Sequence, residues 1–209
     1  MEINIIDKIR DNDPLVKIAN IVGRVVTDLS FLRHNTHLKE LFIHDNQVSD
    51  LSVLRFNNTL VKLSLIENKV SDISALAHNT TLRSLNLTKN EVSDVSSLAY
   101  NATLEILNLQ QNNISDISPL KLNTTLKEVN LRFNHITTFD NTFSNNFNLT
   151  NTIFEFNPGY TKVVRAQITL LTSLNKFNLK KRSCTLFDLL QKQLQKPNLI
   201  NLKSKKLYF

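Results

Sequence analysis

The stretch Asn68–Leu87, NKVSDISALAHNTTLRSLNL, is followed two residues later by Asn90–Leu109, NEVSDVSSLAYNATLEILNL. Two near copies of one phrase mean either a duplicated site or a scaffold, and the spacing decides between them. Leucines recur at Leu38, Leu60, Leu82, Leu104 and Leu126. Asparagines recur at Asn46, Asn68, Asn90, Asn112 and Asn134, and aspartates at Asp50, Asp72, Asp94 and Asp116, always 22 residues apart. Composition alone does not produce a fixed period of this kind; a stack of equivalent units does.

Within each unit the frame is L-x-x-L-x-L-x-x-N, filled by Leu60, Leu63, Leu65 and Asn68, and again by Leu82, Leu85, Leu87 and Asn90. The L-x-L pair has period two, so both leucines face one side of a strand and the residue between them faces the other. The asparagine interrupts an apolar run at one fixed place, where its amide can bond backbone groups as the chain leaves the strand, and stacking extends this into a ladder. The V-S-D-I-S-x-L section that follows carries Val70, Ile73 and Leu76 inward, with Asp72 capping a tight or single 3₁₀ turn. No unit of this length buries its apolar side alone, but stacked neighbours do.

This frame resembles the leucine-rich repeat family over roughly residues 16–157, and the period of 22 with its SDIS turn resembles the SDS22-like and internalin class. The resemblance implies an α/β fold: a right-handed solenoid with a parallel β-sheet on the concave face, short 3₁₀ or irregular convex segments, a helical C-terminal cap, and protein recognition as the function. A period of 22 leaves no room for a full convex helix. Seven repeats are expected. The first is degenerate, with Val16, Ala19 and Ile21 at the leucine positions and Arg24 at the asparagine position; the last, with Leu149, Phe154 and Asn157, follows a one-residue insertion. Residues 1–15 are expected to form an N-terminal helical cap. Residues 158–209 are expected to form a basic helical cap and tail, with helices near 161–176 and 183–195; residues 157–178 resemble the C-terminal cap of SDS22-like and U2A′-like proteins.

Composition narrows the function. Residues 1–159 hold 14 Lys+Arg against 17 Asp+Glu, a net of −3, whereas residues 160–209 hold 11 against one, a net of +10. The basic character therefore belongs to the tail. The two glycines, Gly23 and Gly159, leave no phosphate-cradling loop, and the single cysteine, Cys184, allows no internal disulfide and no cysteine zinc site. The N-terminus does not read as a secretory signal, so a reducing, cytoplasmic setting is expected, or a host cytoplasm if the chain is an effector of an intracellular microbe. The sequons at Asn57, Asn79, Asn101 and Asn123 fall at one repeated position, so the repeat explains them without glycans.

No catalytic constellation stands out. His34 and His78 share a column with Phe56, Tyr100 and Leu122, which is expected to be a packing column, and His44 and His135 have no partner at ligand spacing. Cys184 reads as a small buried side chain, since too few residues follow the repeats for a catalytic domain. One acid per repeat, without a D-x-D cluster, suits turn capping better than calcium. No enzyme activity, cofactor or metal is expected.

What the frame leaves free is the concave face. Its middle column reads Asn20, Phe42, Ser64, Asn86, Asn108, Asn130 and Ile153, and the next reads Val22, His44, Ile66, Thr88, Gln110, Arg132 and Glu155, flanked by a column that includes Phe133 and Phe156. Small amides occupy the centre and large apolar groups the ends, which is the composition of a protein-binding surface. The residues expected to meet the partner are Phe42, His44, Ile66, Asn86, Asn108, Asn130, Arg132 and Phe133, with Phe156 and Ile153 tucked beneath the terminal cap. The expected partner of this monomeric scaffold is a protein; the alternative is a nucleic-acid or anionic-membrane adaptor acting through the basic tail.

Overall fold

The computed structural model describes residues 4–23, 26–139 and 141–161, together with 165, 168, 169, 172 and 173. Among these residues seven strands form one parallel sheet in chain order: β1 Ile18–Val22, β2 Glu40–His44, β3 Lys62–Ser64, β4 Ser84–Asn86, β5 Ile106–Asn108, β6 Glu128–Asn130 and β7 Asn151–Ile153. Register follows the repeat, pairing Leu41 with Leu63, Leu63 with Leu85 and Leu85 with Leu107. At the last step Val129 pairs with Thr152, 23 residues on, which places the inserted residue in the connection before β7.

Each crossover carries one short 3₁₀ helix: η1 Ser30–Leu32, η2 Ser52–Phe56, η3 Ser74–His78, η4 Ser96–Tyr100, η5 Ser118–Leu122 and η6 Asn141–Phe143. The aspartates set where these begin. Asp50, Asp72, Asp94 and Asp116 each accept the backbone N–H two residues on, at 2.7–2.8 Å. The apolar frame forms one continuous core between sheet and 3₁₀ layer, and Leu63, Leu85, Val70, Ile73 and Leu76 are all buried in it. At the N-terminal end, α1 Ile5–Arg10 is capped by Asn4 and buries Ile9.

Two asparagine ladders stitch the stack. In the first, the Asn90 amide donates to the carbonyls of Leu65 at 2.7 Å and Leu87 at 3.1 Å, while its oxygen accepts from Val70 N at 2.9 Å. Asn46, Asn68, Asn112, Asn134 and Asn157 repeat this arrangement. The second ladder is made of the sequon asparagines. Asn101 donates to Leu76 O and Asn79 O, both at 2.9 Å, and Asn123 to Leu98 O and Asn101 O. The sequon threonines are used too, Thr81 and Thr103 donating to Leu60 O and Leu82 O at 2.7 Å. Each N-x-T is thus a bracket between repeats. Asn35 carries the ladder to Ile9 O and so fastens α1 to the array.

The column of His34, Phe56, His78, Tyr100 and Leu122 does not pack, contrary to the sequence expectation. Phe56, Tyr100 and Leu122 are 65–70% exposed. In a 3₁₀ helix residues three apart share a side, so the inward partner of Leu54 is Asn57, and Phe56 points out. Beyond the array, most of the expected 161–176 helix, the 183–195 helix and Cys184 lie outside the described residues, as does Arg24.

Candidate functional site

The concave face is built by the pleat. With Leu41, Leu63, Leu85 and Leu107 turned to the core, the neighbours on either side along each strand turn outward. A second device acts at the strand ends. Asp45, Glu67, Lys89, Gln111, Phe133 and Phe156 all have φ between 54° and 62°, continuing a column headed by Gly23 at 60°. This left-handed step turns each chain off the sheet and into the asparagine ladder. It also sets these side chains along the rim of the face, which is why Phe133 and Phe156 stand 41% and 61% exposed.

All eight residues read from the sequence as partner contacts lie on this face, in two groups with an amide field between them. At the N-terminal end Phe42 meets His44 edge-on, centroids 6.2 Å apart, and His44 Nε2 lies 2.8 Å from Ser64 Oγ. Ser64 is buried, so the middle column dips between Phe42 and Asn86, with Ile66 half-buried beside it. Burial holds the His44 imidazole below the ordinary histidine pKa, and Glu67 partly offsets this.

In the centre the amides are oriented rather than free to turn. Asn86, Asn108 and Asn130 each accept the backbone N–H two residues on, from Thr88, Gln110 and Arg132 at 3.0–3.2 Å. That fixes the oxygens; the Asn130 NH₂ group donates to Gln110 Oε1, and those of Asn86 and Asn108, on the same half-exposed column, have no hydrogen-bond acceptor among the described residues. The face therefore presents donors.

At the C-terminal end Phe133 and Phe156 stack, centroids 4.3 Å apart and 6° from parallel. The Arg132 guanidinium carbon lies 5.4 Å from one ring centroid and 5.2 Å from the other, and Arg132 pairs with Glu155 at 3.9 Å. Phe156 is not tucked beneath a cap: its own strand-end turn carries it out to stack on Phe133. The sequence reading missed this partnership, although both residues stand in the column that Gly23 heads, the one visible sign of a left-handed position. It also left out Ile18 and set Val22 in a concave column without naming it a contact, although they stand 59% and 54% exposed on β1. Among the described residues no group of three His, Cys, Asp or Glu side chains could hold a metal ion, and no helix is long and apolar enough to cross a membrane.

The fold is a leucine-rich-repeat solenoid. Residues 78–96, 100–117 and 122–138 match the family model described as Leucine Rich repeat. An internalin of Listeria monocytogenes superposes with a TM-score of 0.67 at 28% identity, over 75% of this chain and 45% of its own. Internalin C2 of the same organism gives 0.65 at 28% identity, over 68% and 62%. The chain thus spans less than two thirds of either internalin. A leucine-rich-repeat protein of Leptospira interrogans, 22% identical with a TM-score of 0.58, over 62% of this chain and 34% of its own, shares the fold. No curated protein matches the sequence.

Proposed function

We propose that this chain is a non-enzymatic scaffold that binds a partner protein through its concave face, in a cytoplasm that is its own or, for an effector, a host's. One observation carries the reading. The Phe133–Phe156 stack under Arg132 is an exposed aromatic–arginine cluster on the same open face as Phe42 and His44, with oriented amide donors between them. Aromatic and arginine anchors of this kind dominate protein–protein binding energies. Leucine-rich-repeat proteins generally mediate protein–protein interactions, which supports the same reading. Strands lie about 4.8 Å apart, so anchors four strands away, on β2 and after β6, stand roughly 19 Å from each other. One half of a standard interface, about 800 Å², spans that distance.

The test is quantitative affinity capture with mass spectrometry, followed by titration of whatever binds. Phe133→Ala is expected to weaken the partner by about 1–3 kcal/mol, and Ser96→Ala, on the convex side, to leave it unchanged. A partner retained by Phe42→Ala/Phe133→Ala but lost on removing residues 179–209 would transfer the function to the basic tail. The net +10 of residues 160–209 favours that second reading, and a steep salt dependence would accompany it.

A further inference from the structure

The sheet has an outer edge at β1, and no described residue pairs along it. Lys17 O accepts from Glu40 N at 3.1 Å, and Gly23 N donates to His44 O at 3.2 Å. In a parallel ladder alternate residues serve opposite neighbours, so Ala19 and Ile21 face β2 as Lys17 and Gly23 do. Ile18, Asn20 and Val22 turn their N–H and C=O groups to the outer side, where no described residue pairs with them. Natural edge strands are kept short, charged, bulged or covered, because an open edge templates pairing. β1 runs five residues where β3 to β7 run three. It carries no charge and no proline, and α1 packs against η1 on the convex side.

We infer that a second copy of this chain pairs antiparallel along β1, about a two-fold axis normal to the sheet and midway between the two Asn20 residues. The strand Ile18-Ala19-Asn20-Ile21-Val22 is close to a palindrome in residue type. Centred on Asn20, the pairing sets Ile18 against Val22 and Asn20 against its own copy. All three are hydrogen-bonded pairs, so the outward groups of both edges are used together. Exposed Ile18 and Val22 become a cross-strand β-branched pair on the concave side. Ala19 meets Ile21 on the core side, and Lys17 meets Gly23, so no like charges oppose each other. Sliding the register by two residues sets Ile18 against Asn20 and leaves Val22 unpaired. The contact is isologous, as a closed dimer requires. It doubles the seven-stranded sheet and brings Ile18, Val22 and Phe42 of both copies together at the centre of one longer concave face.

Sedimentation equilibrium of the full chain is expected to show a concentration-dependent dimer; a monomer at every concentration up to about 500 μM would overturn the proposal, whichever other strand the edge accepts, since typical specific contacts form well below that range. Asn20→Pro removes only an outward N–H, a position where edge strands tolerate proline. It is expected to raise the dimer Kd at least about tenfold, because facing acceptors lose their donor, while the melting curve, recorded at dilutions where both chains are monomeric, stays that of the parent chain. If that variant melts early, Ile18→Lys/Val22→Lys, at two exposed positions, takes its place with the same expectation. A dimer that survives either change is not this one. The register has its own test. In a Cys184→Ser background, Asn20→Cys places two thiols across the axis with Cα atoms about 5.5 Å apart, within disulfide reach. Oxidation is expected to give a covalent dimer from Asn20→Cys and none from Asn113→Cys, an exposed position far from β1. Equal crosslinking of the two would rule the pairing out.

Discussion

Asn101 donates its side-chain amide to the backbone carbonyl of Asn79, 22 residues before it, at 2.9 Å, and to that of Leu76 at the same distance. Both carbonyls lie where the 3₁₀ helices end, and no water reaches the fully buried Asn101 to replace the donor. Asn101→Ala therefore strips one donor from each carbonyl, leaving them only the backbone bonds from Asn79 N at 2.9 Å and Leu82 N at 3.4 Å, and is expected to cost about 1–3 kcal/mol. Asn90→Ala, in the first ladder, is expected to cost a similar amount. Asn86→Ala, on the half-exposed concave side, gives up a bond that water can replace and is expected to cost about 0.5–1 kcal/mol. Urea unfolding of the three variants decides; equal midpoints would remove the ladders from the account of stability.

The left-handed column supplies a second test. Gln111 sits at φ 54°, where a side chain costs roughly 1–2 kcal/mol relative to the right-handed region. Glycine has no such penalty but loses about 0.5–1 kcal/mol in chain entropy. Gln111→Gly is therefore expected to be neutral or to stabilise by up to about 1 kcal/mol. Gln111→Val, β-branched, is expected to destabilise by more than about 1 kcal/mol. The reverse order would show that the strand-end turn opens in solution.

These two columns also mark where the fold was legible in the sequence. The L-x-L pairs and the asparagine after them alternate with the pleat, so strands, register and first ladder follow from counting. The second ladder was equally periodic at Asn57, Asn79, Asn101 and Asn123, but its N-x-T wording matches a sequon, and that coincidence masked a structural role. Phe56 and Tyr100 were misplaced for another reason. A column of large residues suggests packing, yet a 3₁₀ turn repeats every three residues, and these stand two after the buried leucine. At the concave site, residues on the strands could be placed by alternation. Phe156 could not, because a left-handed residue leaves the pleat and only Gly23 signals it.

His44 makes the stability pH-dependent. Burial beside Phe42 and Ser64 holds its pKa below the ordinary value of 6.5, so the folded state prefers the neutral ring. For a base shifted down, the stability it contributes is complete above the ordinary value and is lost as pH falls through the lower folded value. Asp28 and Asp72 are held below 3.8 chiefly by hydrogen bonds from Ser30 and Ser74, so their contribution is lost only in stronger acid. Between pH 7.5 and about 5, the urea midpoint is expected to fall less in His44→Gln than in the parent chain. Parallel slopes for the two would place the change elsewhere.

The Phe133–Phe156 stack can be weighed by a double-mutant cycle, because both rings are partly exposed and neither belongs to the core. Phe156→Ala alone is expected to cost little, since 61% of Phe156 already faces solvent. The coupling between the two rings, however, is expected to be about 0.5–1.5 kcal/mol, as for other stacked aromatic pairs. Arg132, within 5.4 Å of both centroids, shares in it. In an Arg132→Ala background the coupling therefore changes, while the ion pair with Glu155, partly exposed, contributes under about 1 kcal/mol on its own. The stack also holds the Phe133 ring in one orientation before a partner arrives. Phe156→Ala should then weaken partner binding with Phe133 still present, by releasing a side chain that must be ordered again on binding. A cycle with no coupling, together with unchanged binding by Phe156→Ala, would mean that Phe133 acts alone and that the platform is not the anchor.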